Sequence, residues 1–331
     1  MAYIMVVKDM NNAHIEKTLE KALADESLSR KDASVLLALD PDSDETKQLL
    51  DIADRASREW VHRRGYIWAS IGLDYSPCPM NCTFCSLGEK WGIIKEPWIL
   101  NVDEVLDLIH HYDVPEVRWI TLRTSEFYSI DKLIQIARLA MPLKHAELVV
   151  NTGEFDRKDA CALYETGFNV AYHVMRLREG VDTGVDPNER LITLEAIKQS
   201  PLQLAALVDP IGPEHTDEEL VEAMFLHKAY GAALMGAMAR FAVVGTPKYE
   251  LGTISRARLA QITAVSRLVA GKQVDAICTH PADDRILTSG ANTVVVEYGA
   301  IPRDTKISQG DWKGFDIQEA LKLLRGAGYE I

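Results

Sequence analysis

The sequence predicts an α/β chain folded as a (β/α)8 TIM-type barrel, complete or nearly so, behind an N-terminal helical extension. Three observations lead there. From Gly65 onward, short apolar runs alternate with helix-length amphipathic stretches, the texture of parallel βαβ units. Before that point, residues 12–63 carry no strand patterning. A cysteine-rich loop follows the first apolar run, on the face where such barrels carry their sites. The boundaries expected are 1–64 for the extension and 65–331 for the barrel.

In the extension, helices are expected from Asn12 to Ala24, from Arg30 to Leu39 and from Asp44 to Arg63, with Asp42 or Ser43 capping the last. The expected strands are Ile67–Leu73, Val117–Leu122, Glu147–Asn151, Val170–Val174, Leu202–Val208, Met235–Val244, Asp275–Thr279 and Thr293–Glu297. Helical patterns lie between them over Asp103–Tyr112, Ile130–Ala140, Arg157–Tyr164, Asn188–Gln199, Asp217–Tyr230, Ser255–Ala270 and Ala282–Ser289.

Composition narrows the function. The chain has 331 residues, 47% hydrophobic and 26% charged, enough for one large domain or two ordinary ones with a substantial core. A net charge of −13 without any Lys/Arg-rich run argues against nucleic-acid binding. No stretch approaches the roughly 20 apolar residues of a membrane span. Met1–Lys8 has no basic segment followed by a long apolar run, so no signal peptide is expected. Five cysteines, odd in number and unevenly spread, do not make a disulfide framework. The expected compartment is a reducing cytoplasm, in an anaerobic or oxygen-protected host.

Three of those cysteines, Cys78, Cys82 and Cys85, fall within eight residues at C-x3-C-x2-C spacing. Thiols that close converge on one point, as metal ligands or as disulfides. Three thiolates hold a [4Fe–4S] cluster with one iron left open to a ligand. Structural zinc takes a fourth protein ligand, and no histidine stands at zinc-finger spacing here, although nine are present in the chain. A redox couple of Cys82 and Cys85 leaves Cys78 unexplained.

C-x3-C-x2-C after the first strand of a β/α barrel resembles the signature of the radical S-adenosylmethionine (SAM) enzymes. The resemblance implies a [4Fe–4S] cluster on Cys78, Cys82 and Cys85 whose open iron chelates SAM. One-electron reduction by ferredoxin or flavodoxin would cleave SAM to methionine and a 5′-deoxyadenosyl radical, which abstracts hydrogen from substrate. Phe84, just before the third cysteine, matches the aromatic that packs near the adenine. Leu122-Arg123-Thr124-Ser125-Glu126 stands where the family has a Gly-Gly-Glu-like turn. Glu126 fits the carboxylate that meets the cofactor's amino group, while Thr124 and Ser125 depart from the glycines. Asn188–Glu195 is similar to a segment of biotin synthase and of the [FeFe]-hydrogenase maturase, whose arginine grips the SAM carboxylate; Arg190 is the match. Val244-Gly245-Thr246-Pro247 and Ser289-Gly290-Ala291-Asn292 resemble turns of biotin synthase and methylornithine synthase. Relatives hold the ribose with an acid or amide on the fourth strand; here His173 is either a substitute for it or a satisfied core histidine, and Asn151 ends the third strand.

Sulfur-inserting relatives carry a second cluster on further barrel cysteines. Only Cys161, in a helical stretch, and Cys278 remain, so sulfur insertion is disfavoured. Near the C-terminal strand ends the interior is expected to hold Thr121, Arg123, Asp209, Arg240, Cys278, His280 and Glu297. A buried arginine needs a counter-charge, so Arg123 and Arg240 suggest an anionic substrate group, with Asp209 or Glu297 as the alternative partners. Cys278 is a candidate hydrogen donor or plain packing. The expected activity is hydrogen abstraction from a small anionic metabolite, for rearrangement, fragmentation or a cofactor-biosynthesis step. Three alternatives stay open: a sulfur-inserting biotin- or lipoyl-synthase-like enzyme, a zinc-dependent barrel, and a non-catalytic Fe–S scaffold or electron carrier.

Overall fold

The structure, a computed structural model, describes residues 14–24, 26–301, 308–309 and 314–331; the readings of Met1–Lys8 and of the start of the helix at Asn12 lie outside them. The barrel strands are β1 (Tyr66–Gly72), β2 (Val117–Arg123), β3 (Glu147–Asn151), β4 (Phe168–Tyr172), β5 in two segments (Gln203–Ala205 and Val208–Ile211), β6 (Leu234–Ala239), β7 (Ala276–His280) and β8 (Thr293–Gly299). Every neighbour pairing is parallel: β1 lies between β8 and β2, and β7 closes the ring by pairing with both β6 and β8. The expected (β/α)8 barrel is therefore formed and closed. The run expected at Leu202–Val208 is broken after Ala205, and its second segment extends to Ile211.

Strand alternation sorts the apolar residues into two layers. Ile67, Ala69 and Ile71 of β1, Ile120 and Leu122 of β2, and Leu148 and Val150 of β3 face the helices. The opposite parity, Trp68, Trp119, Val149 and Val170, packs on the barrel axis with Leu207, Leu234 and Cys278. Tyr66 and Trp119 meet at 5.2 Å and Trp68 and Trp119 at 5.7 Å, and the Trp68 indole N–H donates to Thr121 Oγ1 at 2.5 Å. Large aromatics thus plug one level of the barrel, while small and polar residues line the level beyond it.

The outer helices are α1 (Arg30–Leu37), α2 (Asp44–Trp60), α3 (Val102–Tyr112), α4 (Ile130–Ala140), α5 (Arg157–Glu165), α6 (Pro187–Lys198), α7 (Asp217–Ala229), α8 (Arg256–Ala270), the single turn α9 (Asp284–Leu287) and α10 (Ile317–Gly326). Ser43, one of the two candidate caps, accepts from the Thr46 amide at the start of α2. α10 was not expected, although Asp316 and Glu319 form a capping box at its start.

α1 and α2 lie on α8, which explains why α8 is buried from Leu259 through Ala270. The last carbonyls of a helix have no intrahelical partner. Gln261 supplies one: its amide donates to the carbonyls of Leu36 (2.9 Å), Leu37 (3.3 Å) and Leu39 (3.0 Å). Gln261→Leu keeps the volume and removes the donor. Urea unfolding should show it destabilised by about 2–3 kcal/mol.

His227 on α7 is fully buried, neither ring nitrogen has a partner among the described residues, and burial holds its pKa down at about 4. An unfolded chain takes up this proton near pH 6.5, the folded one only near 4. The stability is therefore complete above pH 6.5 and declines as pH falls toward 4, by about 1.4 kcal/mol per unit. Between pH 7 and 5 the wild type should lose about 2 kcal/mol more than His227→Leu in denaturant titrations. Equal losses would show that His227 does not carry this dependence.

Candidate active site

The cysteine loop leaves the C-terminal end of β1 and is held from both sides. Within it, the Cys78 amide donates to the Leu87 carbonyl (2.6 Å), the Cys85 amide to the Cys82 carbonyl (3.0 Å), and the Leu87 amide to Cys85 Sγ (3.4 Å). The Trp91 indole closes on the Cys82 carbonyl at 3.2 Å. Across the barrel mouth, the Thr83 amide and hydroxyl both donate to the Asp182 carbonyl (2.8 and 3.1 Å), and the Lys248 amide donates to the Thr83 carbonyl (3.1 Å). The Lys248 ammonium then bridges Asp182 (2.9 Å) and Glu214 (3.2 Å). Gly184 lies against Met80 so closely that a Cβ there would collide with the Met80 carbonyl.

Cys78, Cys82, Cys85 and Phe84 line one wall of a cavity of about 230 Å³ that runs down the barrel axis to Trp68 and Cys278. Burial pushes the Cys85 thiol up to about 12 and raises Cys78 and Cys82 as well. Such thiols ionise only beside a bound cation. Three thiols on one loop can each hold one corner of a polynuclear cluster.

Beside the cysteines, β2 runs into Thr124-Ser125-Glu126, all three on the cavity wall. The two positions that depart from glycine carry bonds: Ser125 donates from its amide (2.7 Å) and hydroxyl to Asp74, and Thr124 donates to Thr152 at 2.8 Å. Behind Glu126 sits Arg190, in the first turn of α6 and 2% exposed. Its guanidinium donates to Glu154 and, at 3.1 Å, to Glu179, and stands 3.6 Å from Glu126. His173 Nε2 is 3.3 Å from Glu154, which also accepts from Thr193 at 2.5 Å. Burial opposes the charge on Glu154, yet His173, Arg190 and Thr193 hold its pKa at about 2; burial lowers that of His173. Neither Arg190 nor His173 lines the cavity. The resemblance put a ligand carboxylate on Arg190 and a ribose on His173, but three glutamates already enclose the first and the second faces Glu154.

Deeper in the barrel, Asn151, Arg123, Arg240, Cys278 and His280 all reach the cavity. Arg123 pairs with Glu297 (2.8 Å), whose other oxygen is 3.3 Å from His280 Nε2. Arg240 pairs with Glu214 and donates to the Gly252 carbonyl at 3.1 Å. The argument that these two arginines await an anionic substrate is corrected here, because each already has a carboxylate. Glu297 was among the partners considered; Glu214, from the loop after β5, was not.

No protein-family model matches the chain. It is similar to a biotin synthase of Nocardioides, 26% identical over 333 aligned positions covering 93% of this chain and 84% of that one. It is also similar to a biotin synthase of Renibacterium salmoninarum, 25% identical over 261 positions and 73% of each chain. Among solved structures, the fold is shared with HydG, a maturase of the [FeFe]-hydrogenase (TM-score 0.80, 15% identity, 96% of this chain and 75% of that one). It is shared equally with methylornithine synthase (TM-score 0.79, 15% identity, 95% and 96%). With the C-x3-C-x2-C loop at the mouth of this barrel, the chain is similar in sequence to biotin synthases and shares the fold of these solved structures.

Four residues of this barrel escaped the sequence reading. Glu154 and Glu179 compensate Arg190. Tyr172 lines the cavity and donates to Asp209 at 3.2 Å. Arg176 lies just beyond β4 on the cavity wall. Strand parity was the available signal for Tyr172, since Val170 faces the axis; Arg176 lies beyond the end of β4, where alternation gives no signal.

Proposed function

We propose that the chain is a radical SAM enzyme that carries a [4Fe–4S] cluster on Cys78, Cys82 and Cys85 and acts on a small anionic metabolite held in the barrel between those cysteines and Cys278. The reading is supported above all by one observation: the three thiols of the C-x3-C-x2-C loop share a continuous cavity with Glu126 and the barrel interior. When bound, the cluster supplies the electron that cleaves SAM and releases the hydrogen-abstracting 5′-deoxyadenosyl radical. Phe84 would pack on the adenine and Glu126 would accept from the SAM ammonium. Arg190 then acts as a positioning residue that fixes Glu126 from behind. Asn151, Thr124 and Ser125 complete the cofactor wall, and ferredoxin or flavodoxin is the natural reductant.

Rearrangement, fragmentation or another cofactor-biosynthesis step is favoured over sulfur insertion. Cys278 is the one cysteine beyond the loop that lines the cavity, and Cys161 lies on α5, outside the barrel. The likeness to two biotin synthases favours the second reading, sulfur insertion, which needs a second cluster. Iron analysis of the anaerobically reconstituted protein separates the two. About four irons per chain, absent after Cys78, Cys82 and Cys85 are all replaced by Ala, is expected. Iron retained by that variant would point to a second cluster. Dithionite and SAM should yield 5′-deoxyadenosine by mass spectrometry, and Cys82→Ala should yield none.

A further inference from the structure

Four arginines border or support this cavity, and three are engaged: Arg123 by Glu297, Arg240 by Glu214, Arg190 by its glutamates. Arg176 differs. It is half-buried on the cavity wall, and no hydrogen bond or ion pair joins its guanidinium to a described residue; its bonds are to Glu179 through the backbone, the amide donating to the Glu179 carboxylate (3.0 Å) and the carbonyl accepting from the Glu179 amide (3.0 Å). The acids in its surroundings are committed elsewhere: Glu179 to Arg190 and Thr183, Asp209 to the Tyr172 hydroxyl, Glu126 toward Arg190. As an arginine, it keeps its charge at any working pH. A planar fork of donors in a low-dielectric wall, next to the cysteines and without a partner, suits a carboxylate.

We propose that Arg176 is the anion-recognition residue of this cavity and takes a ligand carboxylate, either that of SAM or that of the substrate. The assignment rests on the radical SAM reading and adds the residue that gives it anion specificity. Equilibrium dialysis of the reconstituted protein with labelled SAM, and of the SAM-loaded protein with labelled succinate, tests it. Arg176→Ala should keep its iron and lose about tenfold to a hundredfold in affinity for one of the two, with Arg176→Lys between. If SAM weakens while decarboxylated SAM does not, the carboxylate is the cofactor's. If SAM is unchanged and succinate is lost, it is the substrate's. Arg176→Ala binding SAM like wild type, with no succinate affinity lost, overturns the proposal. A wild type that holds iron but binds no SAM overturns the radical SAM reading itself, a separable result.

Discussion

Arg190→Met should lose about 3–5 kcal/mol of stability, the typical cost of removing one partner from a buried ion-pair network. The guanidinium lies among Glu126, Glu154 and Glu179, and no other described cation forms an ion pair with any of the three except His173, at Glu154. Burial and the network together leave His173 with a lowered pKa, so it does not replace the lost charge at neutral pH. The acid limb should change too. In the wild type, Glu154 contributes stability that is complete above its unfolded pKa of 4.5 and is lost as pH falls toward 2. Without Arg190 its folded pKa rises, and that contribution shrinks. Denaturant titrations at pH 7 and pH 4 check both statements. SAM affinity lost at unchanged stability would instead assign Arg190 to the ligand directly.

Gly184→Val should strip most of the iron from a protein that stays folded. The Cβ would land on the carbonyl of Met80, a backbone atom between Cys78 and Cys82, so it cannot be accommodated by a side-chain rotation. The cysteine loop must move outward, which also strains the Thr83 bonds to Asp182 and Lys248. Iron and sulfide content after reconstitution, set beside the circular dichroism spectrum, reads this out. Full iron content would mean that the 178–185 loop yields instead of the cysteine loop.

The fold was legible because its signals are local: strand runs, amphipathic spacing and helix caps all lie within a few residues. The cysteines were legible for the same reason. The charge network was not. Arg190 meets Glu154 across 36 residues and Arg123 meets Glu297 across 174. Whether an arginine in a barrel is engaged depends on such distant partners, which spacing does not reveal. Tyr172 was readable by parity with Val170, but Arg176 lies beyond the end of β4, where alternation no longer says which way a side chain faces.

The central claim is that three thiols hold a cluster with one iron open to SAM. Electron paramagnetic resonance of the dithionite-reduced, anaerobically reconstituted protein, recorded with and without SAM, tests it most directly. The account predicts a [4Fe–4S] signal whose g-values change when SAM is added and which disappears in Cys82→Ala. A zinc-loaded protein with no such signal, or a cluster signal that SAM leaves untouched, would contradict it.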